Sequence, residues 1–198
     1  MRIRVNPTRM QLLRLRRRLE LARRGHKLLK DKLDGLVQRF FTLKKDYLEL
    51  RDRLEPELAK IFGQAAFAYA LSAPEVFATD VQQPTVSLDT TVRSIMGVRI
   101  PDYHLKVEGE PVFNDLLSSV ELREAASGFS AILPELVRLA ALSQSLRLVA
   151  GQIIETRRRV NALEYILIPE LDRNARLIVM KLSEQERSSK VILLKLGG

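Results

Sequence analysis

One repeat constrains this chain more than any other feature. From Leu12 onward, apolar residues recur in alternating steps of three and four: Leu12, Leu15, Leu19, Ala22, His26, Leu29, Leu33, Leu36, Phe40, Leu43, Tyr47, Leu50 and Leu54, with His26 the one strongly polar member. A seam with period 3.5 on a helix of 3.6 residues per turn faces a partner helix only if the pair winds into a left-handed supercoil. Past Pro56 the seam takes two four-residue steps (Leu50, Leu54, Leu58) and runs through Ile61 to Ala65, a stutter. Asn6 or Thr8 is suited to cap the first turn, where Pro7 is tolerated because its missing N–H would go unpaired anyway. Ser72-Ala73-Pro74 is the expected end.

A second helix is expected from Ser118 or Ser119. Its seam is irregular near Pro134, then regular through Leu139, Leu142, Leu146, Val149, Ile153, Thr156, Val160, Leu163 and Leu167. It continues towards Arg187, with a kink expected at Pro169. Between the helices, Pro74, Pro84, Pro101 and Pro111 oppose helix. Thr85 to Ile100 is rich in Val, Thr and Ile, and Tyr103 to Glu108 alternates, so short strands or a hairpin are expected.

The predicted fold is mainly α. It is a long antiparallel two-helix left-handed coiled coil with a short β-hairpin-containing insert between the helices. Residues 1–72 form the N-terminal helix, 73–117 the acidic insert and 118–198 the C-terminal helix, in one elongated domain. Turning near 72 and 118 makes the numbers of facing residues total roughly 190. The irregularities at Pro56 and Pro134 then meet, and Arg157, Arg158 and Arg159 stand beside Gly25–Lys32. About 65 residues of helix span about 95 Å, which predicts a rod.

Charge is unevenly spread around a net +9. Residues 1–32 carry twelve Lys/Arg against Glu20 and Asp31, residues 72–128 carry four against nine acids, and residues 155–198 nine against six. Basic ends call for an acidic partner. Three consecutive arginines are not what a core-filling helix needs; they suit a helix that grips a partner with one face and presents charge on the other. Leu13, Leu21, Leu28, Phe41 and Leu48 lie off the seam, on the outer side of the first helix, where apolar surface marks a contact site.

Several classes of function find no support. The chain has no cysteine, hence no disulfide or thiol chemistry. No signal peptide stands out, and no apolar run approaches the roughly 18 residues of a membrane span, so a cytoplasmic protein is expected. Glycine spacing matches no phosphate loop, no serine stands in a nucleophile elbow, and His26 and His104 lack ligand neighbours. No catalytic, cofactor-binding or metal-binding residue is assigned. His26 reads as a polar register position, with a ligand or pH-switch role as the alternative. Glu20, Asp31, Glu155 and Glu164 read as partners of nearby Arg and Lys. The acidic insert is either a connector or a docking head. Nucleic acid is not expected as a partner, since neither finger spacing nor an aromatic ladder accompanies the basic runs.

Three motifs then narrow the reading: Val5-Asn6-Pro7-Thr8-Arg9-Met10, Arg24-Gly25-His26-Lys27-Leu28-Leu29-Lys30-Asp31-Lys32, and Thr156-Arg157-Arg158-Arg159-Val160-Asn161-Ala162-Leu163-Glu164-Tyr165 with Ile168-Pro169. In this order they closely resemble the D-subunit family of the V-type (A/V-type) rotary ATPases, over both helices. The sequence departs from the family after Glu184-Gln185-Glu186-Arg187, where a longer lysine-rich tail is usual.

The resemblance implies a non-catalytic central rotor shaft, standing inside a hexamer of catalytic A and B subunits. The F subunit would dock on its side, and the C subunit (called d in eukaryotes) would link it to the membrane rotor ring, with no direct membrane insertion. The complex would be peripheral to the membrane on the cytoplasmic side and translocate protons or sodium. On that reading Arg9, Arg16, Arg17, Arg24, Lys27, Arg157, Arg158, Arg159, Glu164 and Tyr165 are expected to meet the hexamer. Phe41, Lys45, Leu48, Leu142 and Leu148 are expected to meet the F subunit. The alternative is a static coiled-coil scaffold or tether.

Overall fold

The computed structural model describes residues 8–71, 84–109 and 119–196. Asn6, Ser72-Ala73-Pro74, Pro111 and Ser118, named above as cap, breaks and boundaries, lie outside the described residues. The protein is mainly α, two long helical limbs packed together with a two-stranded antiparallel hairpin between them in sequence. The first limb is α1 (Arg9–Leu71). The second comprises α2 (Val120–Asn161), a π-helical segment (Ala162–Leu167) and α3 (Ile168–Leu196).

Both limbs start where a side-chain oxygen meets an orphan amide. Thr8 Oγ1 accepts from the Gln11 N–H at 3.2 Å, and Ser119 Oγ accepts from the Leu122 N–H at 3.2 Å. The seam expected of α1 is the face that packs, since each of its members from Leu12 to Ala65 is buried or half-buried. Pro56 and Pro134 both sit inside continuous α-helix.

The chain forms two compact units, residues 36–152 in one and residues 1–35 with 153–198 in the other. In the first of these, the core gathers Leu50, Leu54 and Ile132, flanked by Leu58, Ile61, Leu136, Leu139 and Leu142. Arg53 pairs with Glu135, and Gln64 Nε2 donates to Glu124 at 3.2 Å. Facing numbers total 188 in both pairs, which is antiparallel packing at nearly the offset expected. Close approach is helped at Gly128, where an added Cβ would stand 3.2 Å from Ile61 Cγ1. Buried Ser145 donates to the Ala141 carbonyl at 2.7 Å, so its hydroxyl is satisfied within the helix. Asp52 accepts from Arg51 at 3.0 and 2.7 Å and raises that guanidinium's pKa above its ordinary value.

The hairpin belongs to the same unit. Strand β1 (Thr85–Ile95) pairs with β2 (Val98–Glu108), from Ile95↔Val98 at the turn to Thr85↔Glu108 at the open end. Met96 (φ 51°) and Gly97 (φ 83°) both take left-handed backbone, the combination a two-residue type I′ turn needs. The hairpin expected in this insert is present, and its second strand runs straight through Pro101, opposite Val92. The ladder alternates from the closing pair, so Pro101 falls where an N–H would point away from the partner strand, and nothing is lost. Val86, Leu88, Val92, Pro101, Tyr103, Leu105 and Val107 share one face. The opposite face carries the Lys106–Asp89 pair at 2.6 Å, the Arg93–Asp102 pair at 3.8 Å and a Thr91–His104 contact at 3.2 Å.

One expectation needs amending. The helical stretch Val120–Leu196 contains an 18-residue window of mean hydropathy 1.3, so by length and composition one helix could cross a membrane. Its apolar content includes the half-buried leucines of the α2 seam, which pack in this fold.

Candidate functional site

The site is built on the unit formed by residues 1–35 and 153–198. Thr156 and Val160 are both buried, at 2% and 5% exposure. Residues on a helix are set about 100° apart, so with 156 and 160 inward, Arg157, Arg158 and Arg159 are driven outward. All three are exposed. Arg159 is engaged by Glu155 one turn before it. Arg157 and Arg158 make no ion pair among the described residues.

The facing surface comes from α1. His26 Nε2 lies 3.3 Å from Glu164 Oε2, and these numbers total 190, the expected offset. The His26 side chain is 20% exposed, which makes it a polar seam position with an acidic partner across the pair. Arg24 pairs with Glu20 along its own helix, and Arg9 pairs with Glu186 of α3 at 2.6 Å. Arg16, Arg17 and Lys27 are exposed and make no ion pair among the described residues. Tyr165 is 71% exposed. The ten residues expected at the hexamer therefore lie in one unit, and within it only His26–Glu164 and Arg9–Glu186 tie the two limbs by charge among the described residues.

The second candidate set lies in the other unit. Phe41 is exposed and meets Phe40 edge-on, centroids 6.0 Å apart. Lys45 is exposed beside Glu49 at 3.7 Å. Leu48 and Leu148 are half-buried, and Leu142 packs on the Leu50–Leu54–Ile132 core. The expectation that Leu48 stands outside the seam is corrected here. The packed face of α1 is wider than a two-position stripe, so Tyr47 and Leu48 are both partly covered. A cleft of about 390 Å³ near this set is lined by Asp46, Glu49, Leu50, Arg53, Arg138 and Leu142.

Comparison with known proteins settles the family. Residues 11–197 match the family model for the ATP synthase D subunit. The V-type ATP synthase D subunit of Clostridium botulinum (strain Langeland) is 42% identical over 99% of this chain and 94% of its own length. The V-type ATP synthase D subunit of Clostridium novyi is 41% identical over 98% and 94%, and that of Acetivibrio thermocellus 40% over 98% and 90%. The chain belongs to the ATP synthase D-subunit family.

Reading the seam missed one element of this D-subunit fold. The seam does not continue from Leu163 to Leu167, which is 42% exposed. It resumes at Ile168, then Leu171, Ala175, Ile178 and Leu182, all buried or half-buried. The five-residue step from 163 to 168 is absorbed by the π segment Ala162–Leu167, where the Ile168 N–H donates to the Leu163 carbonyl. The π segment lies directly before Pro169, the position where the sequence suggests a kink. The sequence carries a signal: through Leu167, Leu171 and Ala175 the steps after Leu163 are all four, whereas from Ile168 through Leu171, Ala175, Ile178 and Leu182 three and four alternate. The Arg9 partner Glu186 was also missed, because pairing across the limbs cannot be read from either helix alone.

Proposed function

We propose that this chain is the non-catalytic central-stalk subunit of a V-type ATP synthase, transmitting torque between nucleotide turnover in a hexamer of A and B subunits and ion movement through a membrane rotor ring. The observation that carries the reading, within this family, is the pair of exposed arginines, Arg157 and Arg158, which make no ion pair among the described residues and are held outward by buried Thr156 and Val160. A rotor must exchange partners as it turns. Exposed ion pairs are worth only about 0–1 kcal/mol each, so they form and break without trapping the shaft, whereas deep apolar anchors would stall it. Acidic loops of the hexamer are the matching surface. The F subunit, which turns with the shaft, can use apolar contact around Phe41, and the C subunit joins the shaft to the ring. The complex sits at the cytoplasmic face of the membrane.

The test is ATP hydrolysis by a purified A/B hexamer with and without this chain plus the F subunit, with gel filtration of the same mixtures. One shaft co-eluting per hexamer with altered turnover is expected. Absence of both effects would refute the proposal.

A further inference from the structure

In the unit formed by residues 1–35 and 153–198, each limb has a break in its seam. Between Leu12 and Leu36 every seam position of α1 is leucine except Ala22 and His26. On the other limb the three-and-four rhythm is broken by the five-residue step from Leu163 to Ile168, which the π segment takes up. The contact of 3.3 Å between His26 Nε2 and Glu164 Oε2 sets the two breaks side by side, because Glu164 lies in the π segment. With facing numbers totalling 190 there, Ala22 stands level with Ile168 and His26 with Glu164.

A leucine seam by itself does not fix the alignment of two helices. The pattern repeats every heptad, so sliding one limb along the other by one heptad sets leucine against leucine again. Here such a slip fails at both breaks. Facing totals of 183 or 197, one heptad either side of 190, would bring His26 level with Arg157 or Leu171, and Glu164 level with Leu19 or Leu33. His26, whose side chain is only 20% exposed, would lose its carboxylate and meet a cation or a leucine, and a poorly solvated polar group left without its partner is costly. The Arg9–Glu186 pair would fail as well, since the same slips bring Arg9 level with Val179 or Leu193.

We propose that these matched breaks, Ala22 and His26 on one limb and the π turn with Glu164 on the other, are the register lock of the helix pair. A polar residue at a seam position gives up stability and specifies a single alignment. Register decides which turn of α1 stands beside Arg157, Arg158 and Arg159, so the lock fixes the surface that this unit presents. The device belongs to the helix pair itself and does not depend on which subunits bind it.

The test is a distance measurement on the full chain, which has no native cysteine to compete for labels. Spin labels are carried by Arg23→Cys and Met180→Cys, both at exposed sites of this unit. A slip of one heptad displaces one limb by about 10 Å along its axis, at 1.5 Å per residue, a shift that pulsed electron resonance resolves. The labelled parent should give a single distance. Adding Ala22→Leu with His26→Leu, which makes the seam leucine throughout this stretch, should give a distance that the parent lacks, with helix content kept. Two distances in the parent, or a folded double variant that shows only the parent's distance, overturn the inference. Should the double variant fail to fold, His26→Leu alone decides: a distance absent from the parent is expected, and the parent's distance alone overturns the inference.

Discussion

Truncating Leu54 to alanine probes whether the helix pair is held by its seam. Leu54 is 1% exposed and packs with Leu50 and Ile132, with Leu58, Ile61, Leu136, Leu139 and Leu142 around them. The change removes three buried carbons, which at about 0.8 kcal/mol each is a transfer loss of about 2.4 kcal/mol. The void left behind adds to this, and alanine's better helix propensity returns only a few tenths of a kcal/mol. Neighbours in a two-helix packing can close in more than in a thick core, so a total near 3 kcal/mol is expected, within the roughly 2–5 kcal/mol range of such truncations. Urea unfolding followed by ellipticity at 222 nm reads the loss. Leu28→Ala, at a site 70% exposed, is the control and should stay within about 0.5 kcal/mol of the parent. A Leu54→Ala loss below about 1 kcal/mol, or equal losses at both sites, would refute seam packing as the source of stability.

Four further outcomes are expected. Reversing Arg157, Arg158 and Arg159 to Glu together should weaken hexamer binding or stall turnover while leaving melting unchanged, since all three are exposed; equal affinity and turnover would count against the cationic face. Phe41→Asp should release the F subunit in gel filtration with the helices intact, whereas Leu142→Asp should destabilise its unit, because that side chain is half-buried against the Leu50–Leu54–Ile132 core. Met96→Asn should stabilise the hairpin by up to about 1 kcal/mol, because asparagine tolerates the left-handed backbone at φ 51° better than methionine; amide exchange across Ile95–Val98 is the readout. Gly151→Ala, with open space around its Cβ, should add about 0.5–1 kcal/mol in urea unfolding, while Gly128→Ala should add nothing because Ile61 stands 3.2 Å from the new carbon.

Much of the fold was legible because a coiled-coil seam is a local pattern with a global consequence. Every α1 seam residue from Leu12 to Ala65 turned out buried or half-buried, and the facing totals of 188 and 190 follow from where two helices of this length must turn. The candidate site was legible for the same reason: Arg157, Arg158 and Arg159 must point outward once Thr156 and Val160 point inward. The errors arose where two local readings competed. Leu167 fits the rhythm after Leu163 as well as any leucine would, and only the packing of Ile168, Ala175 and Ile178 shows that the seam has jumped a residue. Heptad spacing puts Leu142 on the seam and Leu48 outside it, yet both are half-buried, because the packed face is wider than the heptad template.

Periodicity along single elements carries the class of fold, the two limbs, the strand-forming insert and the outward arginines. The packing of one limb on the other added what the offset of 190 does not give, the Arg9–Glu186 pair and the place where the helix widens into a π turn. Those depend on the phase of one helix against another, a quantity that no single helix carries.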